Sequence, residues 1–203
     1  MTAVAKPDLV SDLQTRRPSQ GHPLQERVSS AIVAAAAELL ARRQGATHMS
    51  DVAAAAGMAR ATVYRYFPTR EALLDRVAEV AMTDAGARLA EARLDSVAPE
   101  EGLARAVRAL LDVGDYFVVL ARERVRVEPA RREMLIEEPL RHLFMRGQKA
   151  RVFRSHVPPE WLARALLSVV EAVASRPQSA GRDDMVDRVS ELFLDGIRRA
   201  TPG

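Results

Sequence analysis

Apolar residues recur along this chain at steps of three and four, and the rhythm breaks only at a few glycines, prolines and polar runs. Leu24, Val28, Ile32, Ala35, Ala36 and Leu39 share one helical face and predict a first helix over Leu24–Arg43. Arg42 and Arg43 sit in its last turn, where cations complement the helix dipole, and Gly45 suits the cap. A short second segment begins near Thr47 or His48 and carries Met49, Val52, Ala53 and Ala56. Gly57 interrupts it, a third segment runs from Arg60 to Phe67, and Pro68 stops that one. Thr69 can cap a long helix, with Glu71 in its first turn and Leu73, Val77, Val80 and Ala81 leading towards Leu94.

Beyond Pro99 the period stays helical. Leu103, Val107, Leu110, Gly114 and Phe117 continue it, with Gly114-Asp115 as a candidate break before a helix from Tyr116 to about Arg126. Pro129 and Pro139 bound a short segment, and Pro139 should start or kink a helix holding Leu140, Leu143 and Phe144. Arg154 to Pro159 reads as a loop. Two final helices follow, Trp161–Ala174 and Asp184–Arg199, joined by a polar loop from Pro177 to Arg182. The expected fold is all-α.

Composition agrees with helices: aromatics make up only 4% of a chain that is 48% hydrophobic, and Ala and Leu dominate. The absence of cysteine excludes a disulfide framework and a thiolate metal site and suits a reducing cytoplasm, the expected location. No apolar run approaches membrane-span length. Residues 1–22 read as a disordered arm in which Arg16-Arg17 could reach a DNA minor groove. The net charge of +3 is modest, but Arg42, Arg43, Arg60, Arg65 and Arg70 face a single acid, Asp51, between residues 41 and 70. Histidines 22, 48, 142 and 156 lack metal-ligand spacing, and no catalytic triad, carboxylate pair or phosphate loop is legible. No metal and no cofactor is expected.

Two short amphipathic segments hinged on a glycine are the sequence form of a helix-turn-helix, here over about residues 47–66. The second segment offers Arg60, Thr62, Tyr64, Arg65 and Tyr66 as donors to phosphates or base edges. The pattern Val52-Ala53-x-x-Ala56-Gly57, then Ala61-Thr62-Val63-Tyr64-x-Tyr66-Phe67-Pro68-x-Arg70-Glu71-x-Leu73, resembles the DNA-binding domain of the tetracycline-repressor (TetR) family of transcriptional regulators. The likeness covers Leu24 to Leu74. His48, Ala61 and Arg70 stand where the family usually has Thr, Gly and Lys.

The resemblance implies a three-helix DNA-binding domain over 23–75, joined by a long helix to a ligand-binding and dimerisation domain over 76–203. It implies DNA contacts from Thr47, His48, Ser50, Arg60, Ala61, Thr62, Tyr64, Tyr66 and Arg70, with Arg60 free to read a guanine or settle on a phosphate. It implies a small-molecule pocket in the body, for which Tyr116, Phe117, Met134, Phe144 and Trp161 are candidate lining residues. It implies a homodimer through Leu162, Leu166, Val169 and Val173 of one terminal helix and Met185, Val189, Leu192 and Phe193 of the other. The expected partners are a palindromic DNA operator, an unidentified small-molecule effector and a second copy of the chain, with no membrane. The expected function is a ligand-released repressor. The competing reading is an all-α carrier or enzyme whose N-terminal helices merely pack.

Overall fold

In a computed structural model, residues 23–42, 47–175 and 181–198 are described. The predicted arm, Arg43, Gly45 and most of the predicted polar loop from Pro177 lie outside them. Among the described residues the regular structure is helical, apart from one isolated bridge between Phe153 and Arg198.

Helix α1 (Pro23–Arg42) opens on a proline, whose missing N–H costs nothing in a first turn. Its buried stripe is Ile32, Val33, Ala36, Ala37, Leu40 and Ala41, turned about one residue from the predicted face. Leu24 is 67% exposed, and Ala35 and Leu39 are half-buried. Ala31 to Ala37 is small and apolar on every side, so periodicity alone does not orient it.

Helix α2 (Met49–Ala55) and helix α3 (Arg60–Tyr66) are seven residues each and stand only because they pack. Met49, Val52 and Ala53 are buried on α2, and Val63 on α3. The turn between them closes with two backbone bonds: Met58 N–H donates to the Ala53 carbonyl (2.9 Å) and Gly57 N–H to that of Ala54 (3.1 Å). This double closure needs a left-handed residue, and Gly57 supplies it at φ +64.

Helix α4 (Arg70–Glu91) starts where Thr69 accepts a hydrogen bond from the Ala72 N–H (3.1 Å), as its position in the sequence suggests. At 22 residues it spans roughly 33 Å. Its buried stripe runs from Leu73, Leu74 and Val77, next to the N-terminal helices α1–α3 (the head), to Met82, Ala85 and Leu89, next to the helices that follow (the body). A short 3₁₀ turn (Leu94–Ser96) leads to helix α5 (Pro99–Leu111) and helix α6 (Gly114–Glu123).

Pro139 stands in the first turn of the helix that holds Leu140, Leu143 and Phe144, as expected, but the residues before it are helical too. Helix α7 (Pro129–Arg132) passes through a π-helical turn (Glu133–Glu137) into helix α8 (Glu138–Lys149) without leaving helical dihedrals. A proline ring clashes with the carbonyl four residues back in an α-helix, and the wider π turn gives that carbonyl room. Helix α9 (Pro159–Ala174) and helix α10 (Arg182–Ile197) complete the body.

The body's core centres on Phe144, which is fully buried with its ring centroid 6.1 Å from that of Phe153 and 5.8 Å from that of Phe193. Phe144 is therefore core, not pocket wall. Leu162, Leu166, Val189 and Phe193 are buried within the single chain too. They pack α9 and α10 against the rest of the bundle, so these predicted pairing side chains belong to the chain's own core. Of the predicted pairing residues, Val169, Val173 and Met185 stay half-buried and Leu192 is 68% exposed. Among the described residues no helix is long and apolar enough to cross a membrane, and no metal-ligating cluster is present.

Candidate nucleic-acid interface and its link to the body

Val63 is the anchor of α3. It goes into the core at 0% exposure, and this fixes which residues of a seven-residue helix face out. Arg60, Ala61 and Tyr64, at i, i+1 and i+4, fall within one arc of the helix and are exposed, Tyr64 at 40%. Arg60 makes no ion pair or hydrogen bond within the described residues, so its five donors remain for an external acceptor. Thr62 and Ser50 are half-buried in the first turns of α3 and α2. His48 is exposed at the N-terminus of α2, where its own N–H donates to the Asp51 carboxylate (3.0 Å).

Two predicted contacts take other positions. Thr47 is 7% exposed, drawn inward beside Met49, so its hydroxyl is not presented at the surface. Tyr66 packs against the core, carries the Arg65 guanidinium 5.4 Å from its ring centroid, and borders a groove with Leu24 and Val28 of α1. It belongs to the side of α3 that faces α1.

Arg70 has a partner 53 residues away. Its guanidinium donates two hydrogen bonds to Glu123 at 2.7 and 2.8 Å, a bidentate pair between the head and α6. Each charge is at the wrong helix end. Arg70 is a cation at the positive start of α4, and Glu123 is an anion at the negative end of α6, so each neutralises the other's mismatch. Next to it, Arg122 donates to the Ala41 carbonyl (2.6 Å) at the end of α1 and reaches the Ser175 carbonyl (3.4 Å) at the end of α9. The last turn of α6 thereby holds both the end of α1 and the start of the connecting helix α4. Glu123 and Arg122 were not legible as functional residues, since neither belongs to a motif.

The Arg70 hydrogen bonds, with its charge, hold the Glu123 carboxyl below the usual carboxylate range. A lowered folded value means that the contact stabilises above the ordinary carboxylate pKa and is lost as pH falls through the folded one. The pair is partly exposed, at 34% and 25%. Its worth is therefore about 0.5–1 kcal/mol. Glu123→Gln should lower stability by that amount at neutral pH and remove this component of acid destabilisation. Denaturant unfolding from neutral to acid pH measures both. Parallel curves for the two proteins would show that the pair contributes nothing.

Two cavities flank the π turn. One, of about 630 Å³, is bordered by Leu89, Arg93, Leu94, Met134, Pro139 and His142. The other, of about 390 Å³, lies between α4, α6, the π turn and α9, with Met82, Phe117 and Leu120 among its walls. The predicted pocket residues Phe117 and Met134 thus border different cavities. Tyr116 borders neither of these two, and burial, with help from Asp84 and Asp115, raises its phenol pKa. Trp161 is 57% exposed on the outer side of α9, far from a pocket role.

Comparison with known proteins agrees with this architecture. Residues 32–77 match the family described as bacterial regulatory proteins, tetR family. The HTH-type transcriptional repressor LfrR of Mycolicibacterium smegmatis is 31% identical over 189 residues, covering 89% of this chain and 95% of that protein. The crystal structure of LfrR from Mycobacterium smegmatis in complex with proflavine superposes with a TM-score of 0.68 at 26% identity, over 86% of this chain and 99% of that one. The TetR family transcriptional regulator PfmR of Thermus thermophilus gives 0.64 at 27% identity, over 83% and 99%. With the helix-turn-helix matched in sequence and the helical body matched in structure, the chain belongs to the tetR family of bacterial regulatory proteins.

Proposed function

We propose that the chain is a ligand-responsive repressor that binds a palindromic operator as a homodimer and is released when a small molecule enters its body. The observation that carries this reading is the exposed side of α3, where Arg60, Ala61 and Tyr64 stand clear of the core on a helix oriented by Val63. A second helix of a helix-turn-helix enters the major groove, with its first residues at base edges. Thr62, Ser50 and His48 lie at helix starts, where backbone N–H groups favour phosphates. Arg70, already held by Glu123, is assigned to the head–body link, and a phosphate would have to compete for it.

LfrR is described as a repressor and has been solved with proflavine bound, which supports repression and ligand binding for this chain. In the proposed mechanism an occupant beside Met82 and Phe117 shifts α4 and α6 together, since both line the same cavity and the Arg70–Glu123 pair ties the start of α4 to the end of α6. The ligand favours a head orientation that fits the operator less well, which requires unequal affinity for the two states.

One short reading helix supplies little specificity, so two heads on a two-fold axis are needed. The pairing surface we assign is the outward side of α9 and α10: Trp161, Ala165 and Val169 with Met185 and Leu192. Leu192→Glu combined with Trp161→Glu should yield a monomer with a more than tenfold loss in operator affinity. Sedimentation equilibrium with and without DNA measures this. A wild-type chain that is monomeric at micromolar concentration and still binds the operator fully would sink the dimer.

A further inference from the structure

The cavity between α4, α6, the π turn and α9 is apolar on one side and acidic on the other. Met82, Phe117, Leu120, Val125 and Val127 make the apolar walls of a space of about 390 Å³, within the range of ordinary small-molecule sites. Glu133 and Glu137 enter it from the π turn and Glu171 from α9, against a single cation, Arg132. Among the residues that line the space, carboxylates outnumber cations three to one.

The single cation does not serve the three acids equally. Arg132 Nε donates to Glu137 at 3.0 Å, while its nearest approach to Glu171 is 3.8 Å, beyond hydrogen-bond distance. Burial raises the Glu171 carboxyl pKa, and Arg132 only partly opposes it. A carboxylate in such surroundings gains most from a cation that arrives with little water of its own. Glu133 is exposed at the rim and has no ion pair within the described residues. The π turn is what sets this arrangement, because it places Glu133 and Glu137 on the side of the helix that faces α6 and α9.

We infer that this cavity takes an amphipathic organic cation, with its apolar body against Phe117, Met82 and Leu120 and its positive charge towards Glu171 and Glu137. The inference rests on the body being an effector site and adds the chemical class of the effector. A flat aromatic cation suits it best, since the ring of Phe117 and the thioether of Met82 both favour aromatic faces. An anionic or acyl-phosphate ligand is disfavoured by the same carboxylates.

The test is calorimetric titration of the full-length protein, without DNA, with 10-methylacridinium and its neutral isostere 9-methylacridine, at a pH where the latter is uncharged. The cation should bind about tenfold tighter or better. Glu171→Gln, which disturbs no hydrogen bond of Arg132, should remove most of that preference and leave the affinity of the neutral compound unchanged. Equal affinity of the two compounds in the wild type, or a preference that survives Glu171→Gln and Glu137→Gln together, overturns the inference. The wild-type comparison stands even if a variant folds poorly. Binding is read without DNA, so it reports on the cavity separately from operator release.

Discussion

Replacing Arg60 by Ala should weaken operator binding about 10- to 100-fold and flatten the preference at one base position in each half-site, the loss of one bidentate contact worth about 1–3 kcal/mol. Replacing Tyr64 by Phe should weaken binding to all sequences alike, because a hydroxyl that meets a phosphate reads no base. The two side chains share the exposed side of α3, and neither is needed for packing, since Val63 carries the helix into the core. Thermal stability of both variants should therefore match the parent within about 0.5 kcal/mol, the usual range for surface changes. Selection from a randomised half-site library, with affinity measured on the recovered sequences, separates the two roles. Uniform loss with Arg60→Ala would make Arg60 a phosphate contact. Undiminished binding by both variants would remove α3 from the interface.

The largest effect on stability is expected at Gly147. A Cβ there would lie 2.1 Å from Cδ2 and 2.3 Å from Cε2 of the Phe153 ring, far inside contact distance. The ring has little freedom to retreat. It is 1% exposed, it packs on Phe144, and its segment is pinned where Arg154 N–H donates to the Ile197 carbonyl at 2.8 Å. Gly147→Ala should destabilise by about 3 kcal/mol, at the upper end of overpacking costs. For a chain of this length that is a fall in Tm of about 6–12 °C. Adding Phe153→Leu should return part of the loss by vacating the space, a coupling that a helix-propensity effect would not show. A Tm change below about 2 °C for Gly147→Ala would mean that the α8–Phe153 contact is looser than described.

Much of this architecture was legible in sequence, and what escaped did so for physical reasons. Gly57 and Thr69 identify themselves because a left-handed turn and a helix start each demand a particular side chain, and both perform as their chemistry suggests. The faces of α9 were harder. WLARALLSVV is apolar on two sides, so spacing cannot say which side meets the bundle, and Leu162 and Leu166 went to the core while Trp161 stayed outside. The turn of α1 by one residue has the same origin in its alanine run. The π turn before Pro139 is invisible to a period of 3.6, although a proline within a helical pattern is the signal that something must give. The Arg70–Glu123 pair joins positions 53 apart, and only the fold brings them together. As for the expected reading surface, Arg60, Ala61 and Tyr64 lie exposed on α3, while Thr47 is buried and Tyr66 is half-buried against the core.

The coupling of head to body is what the proposed regulation adds to the fold. Phe117 and Leu120 border the acidic cavity from the same helix whose last turn, at Arg122 and Glu123, holds α1 and α4. A ligand need not reach the DNA-binding helices to act on them. It need only prefer one position of α6.

Whether α3 and its neighbours bind duplex DNA through phosphate contacts is tested most directly by a salt series. Binding of the full chain to DNA from its own upstream region should weaken by about 10³-fold or more between 50 and 200 mM salt, with log K falling linearly against log salt, if six or more phosphates are met by the dimer. Salt-independent binding, or none at the lowest salt, would contradict it.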